Sequence, residues 1–239
     1  MPVREKIILA LDFSDPDYAL KIVDTFSEQI NIFKVGLELF LSGGPEIVRK
    51  INERGKKVFL DLKFHDIPNT VTKAALQATR LGVYMFNIHA SGGLDMMKRC
   101  RDAVVDLSLK ENLERPKIVG VTVLTSLTND IIKNELCIHH SLRTHVKHLG
   151  KLAKDAGLDG IVASAQEVRM IREHFGKGFL IITPGIRASW SPPDDQRRTM
   201  TPREAIREGA DYIILGRAVL NHPEPVKALE LITAEILTV

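Results

Sequence analysis

The sequence predicts an α/β protein, a single (β/α)8 TIM barrel with parallel strands, and three observations support this fold class. The chain has 239 residues, which suits one such barrel. Apolar, β-branched runs recur at near-regular intervals, separated by segments with the period of an amphipathic helix. The runs are continuously apolar rather than alternating, which is typical of parallel strands covered on both faces.

Eight strands are expected in chain order, at residues 7–13, 32–39, 58–64, 85–90, 118–124, 160–163, 179–183 and 212–215. Helical spacing fills the intervals, as in Ala19, Ile22, Val23 and Phe26 after the first strand. Eight such units without a linker or a break in composition favour a closed barrel over an open doubly wound sheet, and one domain over residues 1–239. Periodicity alone does not distinguish closed from open.

Composition and charge argue against a nucleic-acid-binding, secreted or membrane-spanning protein. Apolar residues make up 44% and charged residues 26% of the chain, and the net charge of +3 is too small to indicate nucleic-acid binding. The first apolar run ends at Asp12, too soon for a signal peptide or a membrane span. Cys100 and Cys137 lack metal or CxxC spacing, so we expect buried, reduced thiols and a cytoplasmic protein.

The most informative segment is residues 59–70, where charges interrupt a run that otherwise reads as a buried strand. In a strand, Asp61 and Lys63 point to one face, and Leu60, Leu62 and Phe64 point to the other. Burying charges costs several kcal/mol unless they are well paired, so a strand with two of them has a use for them. We interpret the pair as catalytic; a structural ion pair is the alternative.

Further polar residues follow the predicted strands in order, at the end where barrel enzymes build their sites. The first strand ends in Asp12, the second carries Lys34, and Asp66 follows the third. Thr125 and Ser126 follow the fifth strand, where they can bind a polar ring or a sugar, or can cap a helix.

The segments after strands seven and eight indicate an anion site. Gly185 and Arg187 follow the seventh strand, and Gly216 and Arg217 follow the eighth. Barrels commonly bind phosphate in these two loops through backbone N–H groups and a forked guanidinium. Residues 187–198 form an unusually long loop, which we interpret as a lid over the anion; a merely solvated loop is the alternative.

Several histidines do not enter this prediction. His139, His140, His145 and His148 fall in or just before an amphipathic helix, so a solvated face is favoured over a metal site. The role of His65, beside the charged motif, stays open.

Over nearly its whole length the chain resembles the orotidine 5'-phosphate decarboxylase family in its compact bacterial form. The resemblance rests first on the signature Phe59-x-Asp61-x-Lys63-x-x-Asp66-Ile67-Pro68-x-Thr70. It is supported by the segments Ala10-Leu11-Asp12, Lys34-Val35-Gly36, Thr122-Val123-Leu124-Thr125-Ser126, Thr183-Pro184-Gly185-Ile186-Arg187 and Leu215-Gly216-Arg217. No position at which the family carries chemistry departs from its pattern.

The resemblance implies decarboxylation of orotidine 5'-monophosphate to uridine 5'-monophosphate, the last step of UMP synthesis, without a metal or an organic cofactor. It implies Lys63 as the proton donor, in a charge network with Lys34, Asp61 and Asp66. It also implies a homodimer with shared sites and no membrane partner. The implied substrate-binding residues are Asp12, Lys34, Ile67, Thr70, Thr125, Ser126, Arg187, Gln196, Gly216 and Arg217, with Asp66, Ile67 and Thr70 reaching into the partner's site.

Two rival functions remain at this point. Sugar-phosphate decarboxylases and aldolases of the same superfamily share the Asp-x-Lys-x-x-Asp spacing but bind magnesium, and a carboxylate in place of Lys34 would have favoured them. A catalytically silent nucleotide-binding barrel is the rival from another class; the intact charged motif argues against it.

Overall fold

The eight predicted strands form a closed parallel barrel in the computed structural model, which describes residues 3–188, 190 and 200–237. Each strand pairs with the next in the chain, and β1 pairs with β8 to close the barrel. The strands are β1 Ile7–Leu11, β2 Ile32–Gly36, β3 Lys57–Phe64, β4 Met85–His89, β5 Lys117–Val121, β6 Gly160–Val162, β7 Leu180–Thr183 and β8 Tyr212–Leu215. The predicted closed barrel is therefore confirmed.

Helices surround the barrel, as the alternating periodicity predicts. Within the described residues they are α1 Val3–Lys6, α2 Pro16–Thr25, α3 Leu37–Glu53, α4 Pro68–Arg80, α5 Gly93–Glu111, α6 Asn129–Asn134, α7 Leu142–Asp155, α8 Val168–Phe175, α9 Pro202–Glu208, α10 Arg217–Leu220 and α11 Pro225–Leu237. Among them is no helix with the length and apolar character needed to cross a membrane.

Two apolar layers hold the fold together. Residues such as Ile8 and Phe59 fill the barrel interior, while their strand neighbours, including Leu9 and Leu60, pack outward in the layer beneath the helices. Tyr84 and Tyr212 share a hydrogen bond of 3.0 Å between their hydroxyls, at the N-terminal ends of β4 and β8. Side chains therefore fill the barrel interior near the N-terminal ends of the strands, and the open space lies toward their C-terminal ends.

Some local predictions are wrong in detail. The first, second and fifth strands end earlier than predicted: β1 ends at Leu11, α3 begins directly after Gly36, and β5 ends at Val121. Cys100 is buried, and burial raises the pKa of its thiol to about 12. Cys137 is exposed, with φ of 55°, because it lies in the turn between α6 and α7 and not under a helix.

Candidate active site

A cavity of about 950 Å³ opens at the C-terminal ends of the strands. Its volume is at the upper end for small-molecule sites. The predicted site residues that line it are Asp12, Lys34, Asp61, Lys63, Thr125, Ser126, Arg187, Gly216 and Arg217. These residues come from both ends of the chain, and barrel closure brings them together.

Four charged side chains form a row of alternating sign along the cavity wall. Lys34 Nζ lies 2.8 Å from Asp12 Oδ1 and 3.4 Å from Asp61 Oδ2. Lys63 Nζ lies 2.8 Å from the other oxygen, Oδ1, of Asp61. Asp61 therefore bridges the two lysines, and the predicted shared face of Asp61 and Lys63 is confirmed.

Gly36 explains how the row fits at the end of β2. A side-chain carbon at this position would lie 3.0 Å from Lys34 Nζ and 3.2 Å from Asp12 Oδ1. A larger residue would therefore require the tips of Lys34 and Asp12 to shift, whereas glycine leaves this ion pair in place.

Burial and pairing act in opposite directions on the central charges. Burial alone would raise the pKa of Asp61, but the ion pairs with Lys34 and Lys63, and hydrogen bonds from Lys63 and Asn87, lower it below its ordinary value of 3.8. Burial alone would lower the pKa of Lys34, but Asp61 and Asp12 outweigh it and raise the pKa above 10.5. Asp61 and Lys34 are therefore both ionised at neutral pH.

These directions predict how stability depends on pH. Because the folded pKa of Asp61 is lowered, its contribution to stability is present above pH 3.8 and is lost as the pH falls through the folded value. We expect Asp61→Asn to lower the free energy of unfolding by about 3 kcal/mol at pH 7. Urea unfolding of the parent and of the Asp61→Asn variant at pH 7 and pH 3 measures this loss. The prediction would be contradicted if the difference in free energy of unfolding between the two proteins were as large at pH 3 as at pH 7.

Strand β3 is irregular where it carries Lys63. This residue has φ of 52°, in the left-handed region that side chains other than glycine rarely adopt. Its backbone N–H donates to Asn87 Oδ1 on β4 at 2.8 Å. Asn87 is not among the residues predicted from the sequence, although a single amide inside the largely apolar strand Met85–His89 was a signal that could have identified it.

Three predicted residues lie apart from the cavity. Asp66 follows β3, while Ile67 and Thr70 lie at the start of α4; all three are exposed and none lines the cavity. Ile67 is 67% exposed, which is unusual for a large apolar side chain. Within one chain, these residues do not join the row of charges.

The two segments predicted to bind an anion, after β7 and β8, also line the cavity. Arg217 is the first residue of α10, directly after β8. The two ends of the long loop are held together, since Arg187 N–H donates to Met200 O at 3.0 Å and Ile186 pairs with Met200 as a parallel bridge. Gln196 and most of the predicted lid lie outside the described residues, but Trp190 lines the cavity.

The hydroxyls after β5 do not serve as helix caps. The N-caps of the next two helices are Thr128 for α6 and Ser141 for α7. Thr125 and Ser126 instead line the cavity, so the capping alternative is wrong.

The histidines show no clustering that would hold a metal. Among the described residues, no three His, Cys, Asp or Glu side chains lie together as a possible ion site. Burial and the nearby His140 and His148 lower the pKa of His145. The ring of His65 lies 5.1 Å from that of His89, whose pKa is lowered by burial and then by His65 and Lys63.

A (β/α)8 barrel with paired charges and arginines around a deep cavity at its C-terminal face is the arrangement of a barrel enzyme for a small anionic substrate. The family model for orotidine 5'-phosphate decarboxylase / HUMPS proteins matches residues 5–232. The chain belongs to this family.

Individual relatives agree with the family assignment. The chain is 48% identical to orotidine 5'-phosphate decarboxylase of Moorella thermoacetica over 99% of this chain and 94% of that protein. It is 47% identical to the Geobacter sulfurreducens protein of the same name, over 98% and 97% of the two chains. The crystal structure of orotidine 5'-phosphate decarboxylase from Lactobacillus acidophilus superposes with a TM-score of 0.85 at 34% identity, covering 97% of this chain and 99% of that chain.

Proposed function

We propose that the chain converts orotidine 5'-monophosphate to uridine 5'-monophosphate and carbon dioxide in the cavity described above. Membership of the family, with relatives named for this reaction at 48% identity, supports the activity. The observation that carries the proposal for the site is the ion-paired row Asp12, Lys34, Asp61 and Lys63, whose central members Lys34 and Asp61 are buried. A site of this kind can stabilise charge that develops on a bound ring.

The chemical difficulty of the reaction defines the role of Lys63. Loss of carbon dioxide from C6 leaves an electron pair in an sp² orbital that the ring π-system does not delocalise. A fixed ammonium group beside C6 stabilises this charge as it forms, without reorganising water. In our proposal Lys63 supplies this ammonium group and then donates the proton that replaces the carboxylate on C6.

Asp61 and Lys34 then act mainly by holding the row in place. Asp61 accepts from Lys63 and bridges to Lys34, so it holds both ammonium groups in place at the cavity wall. Repulsion between Asp61 and the substrate carboxylate could also raise the ground state, but the ion pairs give the positioning role the more direct support.

The remaining predicted residues divide between the two ends of the nucleotide. We assign Asp12 and Lys34 to the ribose, and Ser126 to the edge of the pyrimidine, with Thr125 lining the pocket. We assign the phosphate to Arg217, together with Gly216, Arg187 and Gln196. Binding the phosphate far from C6 supplies energy that can align the charges at the reacting carbon.

We also propose that the enzyme is a homodimer with shared active sites. Asp66, Ile67 and Thr70 are exposed and outside their own cavity, which is expected if they complete the cavity of a second copy. The neighbouring surface is also apolar: on α3, Leu37 is 55% and Leu41 82% exposed. In this arrangement the partner's Asp66 would extend the row beyond Lys63.

A complementation experiment tests the shared site. We expect Lys63→Ala and Asp66→Ala each to be nearly inactive alone, and their mixture, after unfolding and refolding together, to recover about a quarter of the parent activity. Each mixed dimer would hold one site with both residues intact. If Asp66 acted within its own chain, no combination would restore a complete site and the mixture would stay inactive.

A spectroscopic assay with a chelator tests the overall proposal. We expect the purified protein to shift the ultraviolet spectrum of orotidine 5'-monophosphate toward that of the product at the same rate with and without EDTA. Lys34 stands in the middle of β2 where the rival enzymes would have a carboxylate ligand, which supports a reaction without magnesium. Loss of turnover in EDTA, restored by magnesium, would favour the rival sugar-phosphate chemistry.

Two organisational features belong to the same proposal. We propose that residues 1–239 form one domain, since a single barrel accounts for the described strands. We further propose that the enzyme acts in the cytoplasm, which agrees with two unpaired cysteines, Cys100 and Cys137.

A further inference from the structure

We propose that Asn87 is a positioning residue for the decarboxylation, which holds Asp61 and Lys63 in their reactive geometry without touching the substrate. This inference rests on the proposed function, because that function assigns the chemistry to these two residues. Asn87 lies in β4 and is 1% exposed. Among the described residues, the cavity wall includes Asp61 and Lys63 but not Asn87.

The nitrogen and the oxygen of the Asn87 amide each form a hydrogen bond with a residue of β3. Its Nδ2 donates to Asp61 Oδ1 at 2.6 Å, and its Oδ1 accepts from the backbone N–H of Lys63 at 2.8 Å. The backbone N–H is only a donor and the Asp61 carboxylate is only an acceptor, so these two partners fix the orientation of the amide. One side chain thus binds both members of the central ion pair.

A gap in the sheet explains why a side chain is needed there. Leu60 pairs with Phe86 and Phe64 with Ile88, so three residues of β3 lie opposite Asn87 alone. The regular ladder of backbone hydrogen bonds is interrupted at this bulge. Asn87 Oδ1 takes the place of a backbone acceptor for Lys63, whose φ of 52° requires support from its surroundings.

The chemistry of the contact selects an amide at this position. Asp61 Oδ1 accepts from both Lys63 Nζ and Asn87 Nδ2. Without the second donor, the carboxylate can turn toward Lys34, which lies 3.4 Å from its other oxygen. An ionised carboxylate at position 87 would still accept from Lys63 but would repel Asp61.

The first test separates positioning from stability. We expect Asn87→Ala to lower kcat by about 100-fold, the size of effect that a misplacement of about 1 Å can cause, while the Kd for UMP changes less than about threefold. Thr79→Val is the matched control, because Thr79 is 2% exposed and its hydroxyl donates to Ala75 O at 2.9 Å on α4, away from the cavity. The control should lower thermal stability with kcat unchanged.

The second test uses pH as a signature. In Asn87→Asp, a protonated carboxyl can donate to Asp61 and accept from Lys63, whereas an ionised one repels Asp61. We therefore expect kcat of this variant, relative to the parent, to rise at least about fivefold as the pH is lowered from 8 to 5. The charged and titratable groups around this position are Asp61 and Lys63 on β3, Lys34 on β2, and His65 and His89 at the ends of β3 and β4; β5 presents the apolar Val119.

Two results would overturn the inference. One is a kcat for Asn87→Ala within threefold of that of the parent. The other is a dependence of kcat on pH in Asn87→Asp that runs parallel to that of the parent. If Asn87→Asp does not fold, the comparison of Asn87→Ala with Thr79→Val decides. Failure of the proposed function is distinguishable, since it would appear as an inactive parent or an active Lys63→Ala variant.

Discussion

Lys63→Ala is expected to lower kcat by at least about 10⁴-fold, the largest effect of any single substitution in this chain. In the proposed mechanism, the change removes both the ammonium group beside C6 and the proton donor, and each of these contributions is commonly worth 10² or more. The fold should persist, since Asp61 keeps its contacts with Lys34 and Asn87. Single-turnover kinetics with orotidine 5'-monophosphate measure the loss.

A lysine on the same strand provides the control. Lys57 begins β3 at the opposite end of the barrel, where its ammonium group lies 4.6 Å from the centre of the Tyr84 ring. Lys57→Ala should leave kcat within twofold, and Lys63→Ala should still bind UMP within about tenfold of the parent. Near-normal turnover by Lys63→Ala would refute the assignment of this residue.

Arg217→Ala is expected to have the second largest effect, a loss of about 100-fold in kcat/KM for the phosphorylated substrate. A charged hydrogen bond to a phosphate is worth about 3 kcal/mol, and binding energy at this end is used to align the reacting end. Orotidine, which lacks the phosphate, should react with each protein at nearly the same low rate. Steady-state kinetics with the two substrates measure the difference.

Two further variants make this prediction specific. Arg217→Lys keeps a charge but not the forked geometry, so it should recover only part of the loss. Arg49→Ala removes an arginine from α3, whose side chain is 58% exposed and lies outside the cavity, and should have no effect. Equal losses with orotidine and its phosphate in Arg217→Ala would place Arg217 away from the phosphate.

Much of this site was predictable because barrel topology converts positions in the sequence into positions in space. Asp12, Lys34 and Asp61 are far apart along the chain, yet each lies at or near the C-terminal end of a strand, so parallel pairing in order brings them together. Alternation along β3 correctly predicted that Asp61 and Lys63 share a face. The same rule correctly predicted that Arg217, directly after β8, lines the cavity.

Other features depend on local geometry that periodicity does not describe. The bulge of β3 opposite Asn87 and the φ of 52° at Lys63 interrupt the regular strand, and no propensity predicts where such an interruption falls. The exposed Cys137 was mispredicted because composition favours buried cysteines, whereas the turn after α6 turns this one outward. Resemblance to a family, and not spacing, was the source of the roles given to Ile67 and Thr70.

The pairing of β1 with β8, in which Ile8 lies opposite Ile214, closes the barrel and fixes the register between its first and last strands. The row of charges lies at or near the ends of β1 to β3, and the arginines follow β7 and β8, so the pairing of β1 with β8 sets the distance between the two groups. In the proposed binding mode, the ribose of the nucleotide joins the two groups at a fixed length. A change of one residue in the β1–β8 register would move the row of charges by about 3.3 Å relative to the arginines. One substrate molecule would then be unable to contact both groups at the same time.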